Sequence, residues 1–176
     1  MNLFDMNSDN TTMNIDGKDI EMKPAICFGK VYDRWLVSKC GKVWSFKYNK
    51  IISGTIDYVQ LKDGKRPVRI KMIMNTPIDF WEDGSGLLIM GGTYSQRNIR
   101  KHQVIIDTWA PLYDNPPEGI VWEEWEIVRK LPSVYNHISK TIVIDHIDDD
   151  PTNNHLDNLR RVTQWDNNKT RKAKGI

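Results

Sequence analysis

The sequence predicts an α+β protein in which an antiparallel β-rich module is followed by a strand–loop–strand–helix unit. Between residues 32 and 71, short apolar runs alternate with turn residues, which is typical of an antiparallel meander. Its clearest turn is Asp63-Gly64, because this dipeptide favours a tight hairpin. Further along the chain, the β-branched residues 141–144 and the run 159–163 each indicate a strand, and Thr163 can cap a helix that begins directly after it.

The first 112 residues are predicted to comprise a leader and the β-rich module. Residues 1–24 are polar, with five acidic residues against Lys18 in the first 22 positions, so we expect a flexible acidic leader. The module then covers residues 25–112. Within it, GLLIMGG is a candidate for a further strand. The segment RNIRKHQVIIDTWAP predicts one amphipathic helix with basic residues in its first turns and Pro111 as its end.

Residues 113–140 are predicted to connect this module to the C-terminal unit. After Pro116-Pro117, the segment WEEWEIVRKL predicts a short acidic helix. We expect Trp122 and Trp125 to be core residues rather than stacking groups, since large aromatic side chains usually seek cover. The pattern assigns no further role to this connector.

The composition indicates a folded, soluble protein. The 176 residues are 39% hydrophobic and 27% charged, with a formal net charge of +2. Cys27 and Cys40 form no CxxC motif, which argues against a disulfide framework or a cysteine zinc site. No run approaches the roughly 20 apolar residues of a membrane span, and the N-terminus lacks the order of a signal peptide. We therefore expect a cytoplasmic protein without membrane contact.

The charges are distributed unevenly along the chain. Residues 160–176 carry six basic residues against Asp166, whereas the N-terminus is acidic. A basic end of this kind suits a surface that faces phosphates, but a solvated tail explains it equally well.

The residues that carry chemistry are concentrated after the predicted strand at 141–144. Asp145 and His146 are adjacent at its end and should leave it on opposite faces, so they suit two different tasks. Hydrolysis of a phosphodiester needs a base that takes a proton from water and a cation that absorbs charge on the phosphate. Zinc bound by His146 and His155 is disfavoured, because no cysteine or third histidine lies suitably near. His102 and His137 fall outside this cluster and are expected to be ordinary polar side chains.

The order of these motifs resembles the HNH nucleases, also called ββα-metal or His-Me finger enzymes, and in particular the homing endonucleases of phages. The family pattern appears here as Asp145-His146-Ile147-Asp148, Asn153-Asn154, Asn158-Leu159-Arg160, Val162-Thr163 and Asn167. A weaker likeness covers WLVSKCGKVWSF and HQVIIDTWAP upstream. The resemblance implies that residues 141–176 form a nuclease finger with a basic tail, and that the upstream module binds DNA.

The resemblance also implies a role for each site residue. His146 would be the general base, and Asn158 would orient the imidazole or the finger around it. Asp145 and Asn167 would hold one divalent cation per active site, Mg²⁺ or Mn²⁺, since oxygen ligands suit these ions. Many relatives have Asp-Gly-Asn after the histidine, whereas this chain has Asp148-Asp149-Asp150. Asp tolerates the positive φ that the glycine permits better than most residues do.

Double-stranded DNA is the partner that the resemblance implies, for a monomer or a homodimer that nicks or cuts both strands. Basic residues would contact its phosphates, although solvated helix or strand charges remain the alternative for several of them. The candidates are Arg66, Arg69, Arg97, Arg100, Lys101, Arg160, Arg161, Lys169, Arg171 and Lys172. Two other functions stay open: a DNA-binding protein with a degenerate site, and an HNH nuclease in phage packaging or defence. The expected location is the cytoplasm, that of the host cell if a phage encodes the protein.

Overall fold

The computed structural model describes residues 10–62, 64–77 and 94–173. Within these ranges the strands form one five-stranded, one three-stranded and one two-stranded antiparallel sheet. The mixed composition with a β-rich N-terminal part agrees with the predicted fold class. In the described part of the chain, no helix has the length and apolar character needed to cross a membrane.

The five-stranded sheet is built from consecutive strands. They are β1 (Thr11–Ile15), β2 (Lys18–Cys27), β3 (Lys30–Ser38), β4 (Val43–Ser45) and β5 (Lys50–Ile51). The prediction of a flexible leader over residues 1–24 is therefore wrong from residue 11 onward, and residues 1–9 lie outside the described residues. Ile15 and Met22 pack with Leu36 in a small core, and polar residues on the outer face hid this alternation in the sequence.

The predicted meander over residues 32–71 is divided between two sheets: its first half forms β3, β4 and β5, and its second half belongs to the three-stranded sheet. The strands of the three-stranded sheet are β6 (Thr55–Leu61), β7 (Gly64–Pro77) and β8 (Tyr94–Arg100). Leu61 lies opposite Gly64, so β6 and β7 are joined at the predicted Asp63-Gly64 position. The candidate strand GLLIMGG lies outside the described residues.

Helix α1 (Lys101–Trp109) follows β8 directly. The predicted helix is thus correct in its second half and wrong for residues 97–100, which pair with β7 instead. This pairing needs a partner strand that lies far away in the sequence, so local spacing could not indicate it. Val104, Ile105 and Ile106 of α1 are buried in the main core, where the helix packs against β2, β3 and β7.

The connector contains two short helices, α2 (Trp122–Arg129) and α3 (Pro132–Ser139). Trp125 is fully buried and donates its indole N–H to the backbone oxygens of Leu112 and Tyr113, both at 3.2 Å. Trp122 is 41% exposed and lies against the Arg129 guanidinium. The prediction of two core tryptophans is correct for Trp125 and wrong for Trp122.

The C-terminal unit follows the predicted order of strand, loop, strand and helix. Strands β9 (Ile142–His146) and β10 (Leu159–Thr163) pair antiparallel, and α4 (Gln164–Ala173) follows. The Thr163 hydroxyl accepts a hydrogen bond from the Asp166 backbone N–H at 3.1 Å, which is the predicted cap. The register places Asp145 opposite Arg160 and His146 opposite Leu159.

Candidate active site

The end of β9 opens into a cleft of about 500 Å³ between the three-stranded sheet and the C-terminal unit. The cleft brings together three of the four predicted catalytic and metal-binding residues, namely Asp145, His146 and Asn167. It also contains three of the predicted DNA-binding residues: Arg66, Arg69 and Arg100. These arginines come from β7 and β8, so the site combines segments that lie far apart in the sequence.

His146 is buried and is held from one side by Asn154. Its Nε2 lies 3.3 Å from Asn154 Oδ1. The amide Nδ2 donates to the backbone oxygen of Thr152 at 2.9 Å and to that of Pro151 at 3.4 Å, which directs Oδ1 toward the imidazole. Because Oδ1 can only accept, Nε2 carries the proton and Nδ1 keeps its lone pair in the neutral ring. Asn154 belongs to the paired-asparagine motif, but nothing in that motif indicated a contact with His146.

A second histidine lies directly behind the first. The ring centroids of His102 and His146 are 5.1 Å apart, with the planes at 76°. Burial, together with His146, Arg100 and Arg69, lowers the pKa of His102 to about 3, so this ring is neutral near pH 7. Its Nδ1 is buried without a hydrogen-bond partner in the described part of the chain. The expectation that His102 is an ordinary polar side chain is wrong, and only the tertiary contact between the two rings reveals its position.

Asp145 leaves β9 toward the neighbouring strand. Its Oδ2 accepts hydrogen bonds from Arg160 Nε at 3.0 Å and from Nη2 at 2.9 Å. Arg160 Nη1 in turn donates to the Glu118 carboxylate, at 3.1 Å from Oε2. Arg160 was predicted to contact DNA, but the structure places its guanidinium between two carboxylates.

Asn158 organises the loop after β9 and makes no hydrogen bond to His146 among the described residues. Its side chain donates to Asp148 Oδ1 at 2.8 Å and to the Asn153 backbone oxygen at 2.9 Å, and it accepts from the Asp148 backbone N–H. Hydrogen bonds from Asn153 and Asn158 lower the pKa of Asp148. Asp149 has φ +63°, the positive φ that was expected in this loop and that Asp tolerates better than most residues. The contacts of Asn158 lie within the loop itself, and the role of Asn158 stays a prediction.

The oxygen donors in the cleft suit a magnesium-type cation. Asp145 offers a carboxylate and Asn167 an amide oxygen, and both line the same space. Within the described ranges, no cluster of three or more His, Cys, Asp or Glu side chains could hold a metal. Two protein ligands are enough for Mg²⁺, because this ion keeps several waters and usually takes one or two protein carboxylates along with substrate phosphate. A structural zinc site, in contrast, needs four protein ligands.

The remaining basic candidates have different surroundings. Arg161 is buried, pairs with Asp107 of α1 at 2.6 Å and also donates to the Ala110 backbone oxygen. Both interpretations of Arg161, as a phosphate contact or as an exposed strand charge, are therefore wrong. It follows Arg160 on β10, and successive strand residues face opposite sides.

The other five candidates lie outside this cleft, or their side chains lie outside the described residues. Lys101 is half-buried, and burial lowers its pKa. Arg97 lies over the Phe28 ring, with its guanidinium carbon 6.0 Å from the ring centroid, and exposed Lys169 lies over Trp165. Arg171 and Lys172 belong to α4, but their side chains lie outside the described residues.

Comparison with known proteins gives one family match and a weak structural likeness. Residues 136–169 match the model of the family described as HNH endonuclease. A solved structure described as "DNA binding and cleavage by the HNH homing endonuclease I-HmuI" has a TM-score of 0.39 and 21% identity to this chain. That likeness covers 81% of this chain and 53% of the other, so this chain spans about half of its length. No curated protein matches the sequence.

Proposed function

Because residues 136–169 match the HNH endonuclease family, we propose that this chain is a metal-dependent, homing-type enzyme that hydrolyses phosphodiester bonds of double-stranded DNA. This match confirms the HNH resemblance that the motifs after residue 140 predicted. The observation that carries the proposal is the shared cleft, in which Asp145, His146 and Asn167 face three arginines from β7 and β8. We further propose that β9, β10 and α4, within residues 141–176, form the ββα-metal finger.

His146 is proposed as the general base. With Nε2–H directed at Asn154 Oδ1, the lone pair on Nδ1 is the one that can take a proton from water. Proton uptake makes the ring an imidazolium, and the Asn154 oxygen then accepts a stronger, charge-assisted hydrogen bond from Nε2. Asn154 is therefore proposed as the residue that sets the tautomer and orientation of the base.

Asp145 and Asn167 are proposed to hold one Mg²⁺ or Mn²⁺ ion. When bound, such an ion supplies positive charge that stabilises the phosphate and the departing oxygen during displacement. The carboxylate provides charge attraction, and the amide oxygen of Asn167 provides a neutral ligand from the first turns of α4. Asn158 is proposed to support both residues indirectly, through the loop that joins β9 to β10.

The arginine side of the cleft is proposed to bind the DNA backbone. Arg66, Arg69 and Arg100 give this wall a concentration of positive charge opposite the proposed catalytic groups. Arg69 also pairs with Asp57 at 2.8 Å, so part of its charge is already offset. These contacts would position DNA without specifying its sequence. A monomer or homodimer acting in the cytoplasm, the host's if a phage encodes the protein, remains our prediction.

Plasmid cleavage tests the proposed function. Supercoiled DNA is incubated with the protein and Mg²⁺, Mn²⁺ or EDTA. We expect nicked or linear product with Mg²⁺ or with Mn²⁺, and no product with EDTA. Because general-base catalysis typically contributes about 10²–10⁴-fold, His146→Ala should slow cleavage by that order. His137→Ala removes an exposed histidine of α3 and serves as the matched control. Undiminished cleavage by His146→Ala contradicts the proposal. Intact plasmid with a wild-type mobility shift favours a DNA-binding protein with a degenerate site.

The salt dependence of DNA binding tests the arginine wall separately. Each phosphate contact contributes about 0.9 to the slope of log K against log salt concentration for duplex DNA. Arg66→Gln should therefore reduce the magnitude of this slope by about 0.9, the contribution of one phosphate contact. The slope is measured by fluorescence anisotropy in Ca²⁺ or EDTA. Lys18→Gln removes an equally exposed charge next to the β1–β2 turn and should leave the slope unchanged. Equal slopes for Arg66→Gln and the wild type would show that Arg66 does not contact a DNA phosphate.

A further inference from the structure

We propose that Glu118 and Arg160 form a positioning pair, which fixes the Asp145 carboxylate so that its second oxygen is available to a divalent cation. This inference rests on the proposed function, in which Asp145 is a cation ligand. It assigns a task to the connector of residues 113–140, for which the sequence indicated none.

The strand register brings Arg160 to Asp145. The two residues are direct cross-strand partners in the β9–β10 pair, so their side chains leave the sheet on the same face. Nε and Nη2 of Arg160 both bind Asp145 Oδ2, at 3.0 and 2.9 Å. No hydrogen bond within the described residues reaches Asp145 Oδ1. The arginine thus holds one carboxylate oxygen through two donors, while the other accepts no hydrogen bond from the described part of the chain.

The connector holds the far end of the guanidinium. Nη1 of Arg160 donates to both oxygens of Glu118, at 3.3 and 3.1 Å. Glu118 itself is tied to β10, because its backbone N–H donates to the Arg161 oxygen at 2.8 Å. A planar guanidinium held on two edges cannot rotate independently of its partners. Movement of Asp145 would therefore break its bonds to Arg160 or, if the guanidinium followed, the bonds between Arg160 and Glu118.

Charge explains why a glutamate belongs in this arrangement. A guanidinium alone would cancel the charge of Asp145 and repel a nearby cation. With Glu118 present, two carboxylates surround one guanidinium, and the group keeps one net negative charge. Glu118 and Arg160 also line a second cleft of about 400 Å³, which shares Asn167 with the first. The second proposed cation ligand therefore lies beside the same pair.

Cation binding to the DNA-free protein tests this inference without relying on activity. Mn²⁺ affinity is measured by electron paramagnetic resonance for the wild type, Arg160→Gln, Arg160→Lys and Glu118→Gln. Loss of groups that orient metal ligands typically costs 10–100-fold in metal affinity, so we expect weakening of about that size for both Arg160 variants. Lysine keeps the charge but cannot hold Oδ2 through two donors. Glu118→Gln should weaken binding in the same direction.

A matched control lies in the same connector. Glu126→Gln removes a carboxylate that pairs with Lys130 at 2.9 Å on α2, and it should leave Mn²⁺ affinity unchanged. Circular dichroism verifies that each variant is folded. Glu118 is largely exposed, so its variant reports on the pair even if an Arg160 variant fails to fold.

The outcomes separate this inference from the proposed function. Wild-type or tighter Mn²⁺ binding by Arg160→Gln, or by Glu118→Gln if the former does not fold, overturns the positioning role. Tighter binding would mean that Arg160 competes with the cation. A wild-type protein that neither binds Mn²⁺ nor cleaves plasmid overturns the proposed function itself. In a cleavage assay, the positioning variants should require more Mg²⁺ for half-maximal rate than the wild type does.

Discussion

Acidification should destabilise this protein through His102, the neutral histidine behind the proposed base. Burial, aided by His146, Arg100 and Arg69, lowers its pKa to about 3, compared with about 6.5 in an unfolded chain. Between these values the unfolded state binds a proton that the folded state does not. The stabilising contribution is therefore complete above about pH 6.5 and is lost progressively as the pH falls toward 3.

The size of the effect follows from the width of that window. One pH unit within it corresponds to about 1.4 kcal/mol, so lowering the pH from 6.5 to 5 should cost about 2 kcal/mol of unfolding free energy through this residue. His102 is 6% exposed, so solvent screening does little to reduce this figure. A loss of this size is a substantial part of the stability of a typical domain.

Urea unfolding at pH 7 and pH 5 measures the contribution. We expect His102→Gln to lose about 2 kcal/mol less than the wild type between the two pH values, whatever its stability at pH 7. His137→Gln, which removes an exposed histidine, should retain the wild-type dependence. Identical pH dependence in His102→Gln and the wild type would refute the assignment of a buried, neutral ring.

Two further predictions concern the supports of the site. Gly41→Ala should destabilise the fold by roughly 1–2 kcal/mol, because Gly41 has a φ of +81°. It should also slow plasmid cleavage, because the new Cβ would lie 2.8 Å from the backbone oxygen of Asn154, the residue that contacts His146. Gly17→Ala has a similar φ and no neighbour within 4 Å, so it should lose stability alone; equal cleavage by both variants would contradict the Asn154 contact. Arg161→Met should lower the free energy of unfolding in urea by about 3–5 kcal/mol, because it removes the arginine that pairs with the partly buried Asp107 carboxylate. The double variant Arg161→Met/Asp107→Leu should recover part of this loss. A loss below about 1 kcal/mol for the single variant would show that the pair is not structurally important.

Local signals explain the parts of the fold that were predictable. The Asp63-Gly64 hairpin, the Thr163 cap and the helix at WEEWEIVRKL each depend on neighbouring residues, and all three appear in the structure. The wrong assignments arise where contacts with residues far away in the sequence determine the secondary structure. Residues 97–100 have helical spacing but pair with β7, and residues 11–24 are polar on one face but cover Leu36 with the other.

In the proposed site too, some features follow from neighbouring residues in the sequence and others only from tertiary contacts. By itself, the sequence determined the resemblance to HNH nucleases and the contiguous motif around Asp145 and His146, because these residues follow one another at the end of a single strand. Tertiary structure decided which groups surround them. Arg160 and Arg161 are neighbours of identical chemistry, yet one pairs with Asp145 and the other is buried against α1. Alternation along a strand separates the two side chains, but only the packing on each face determines which arginine meets which carboxylate.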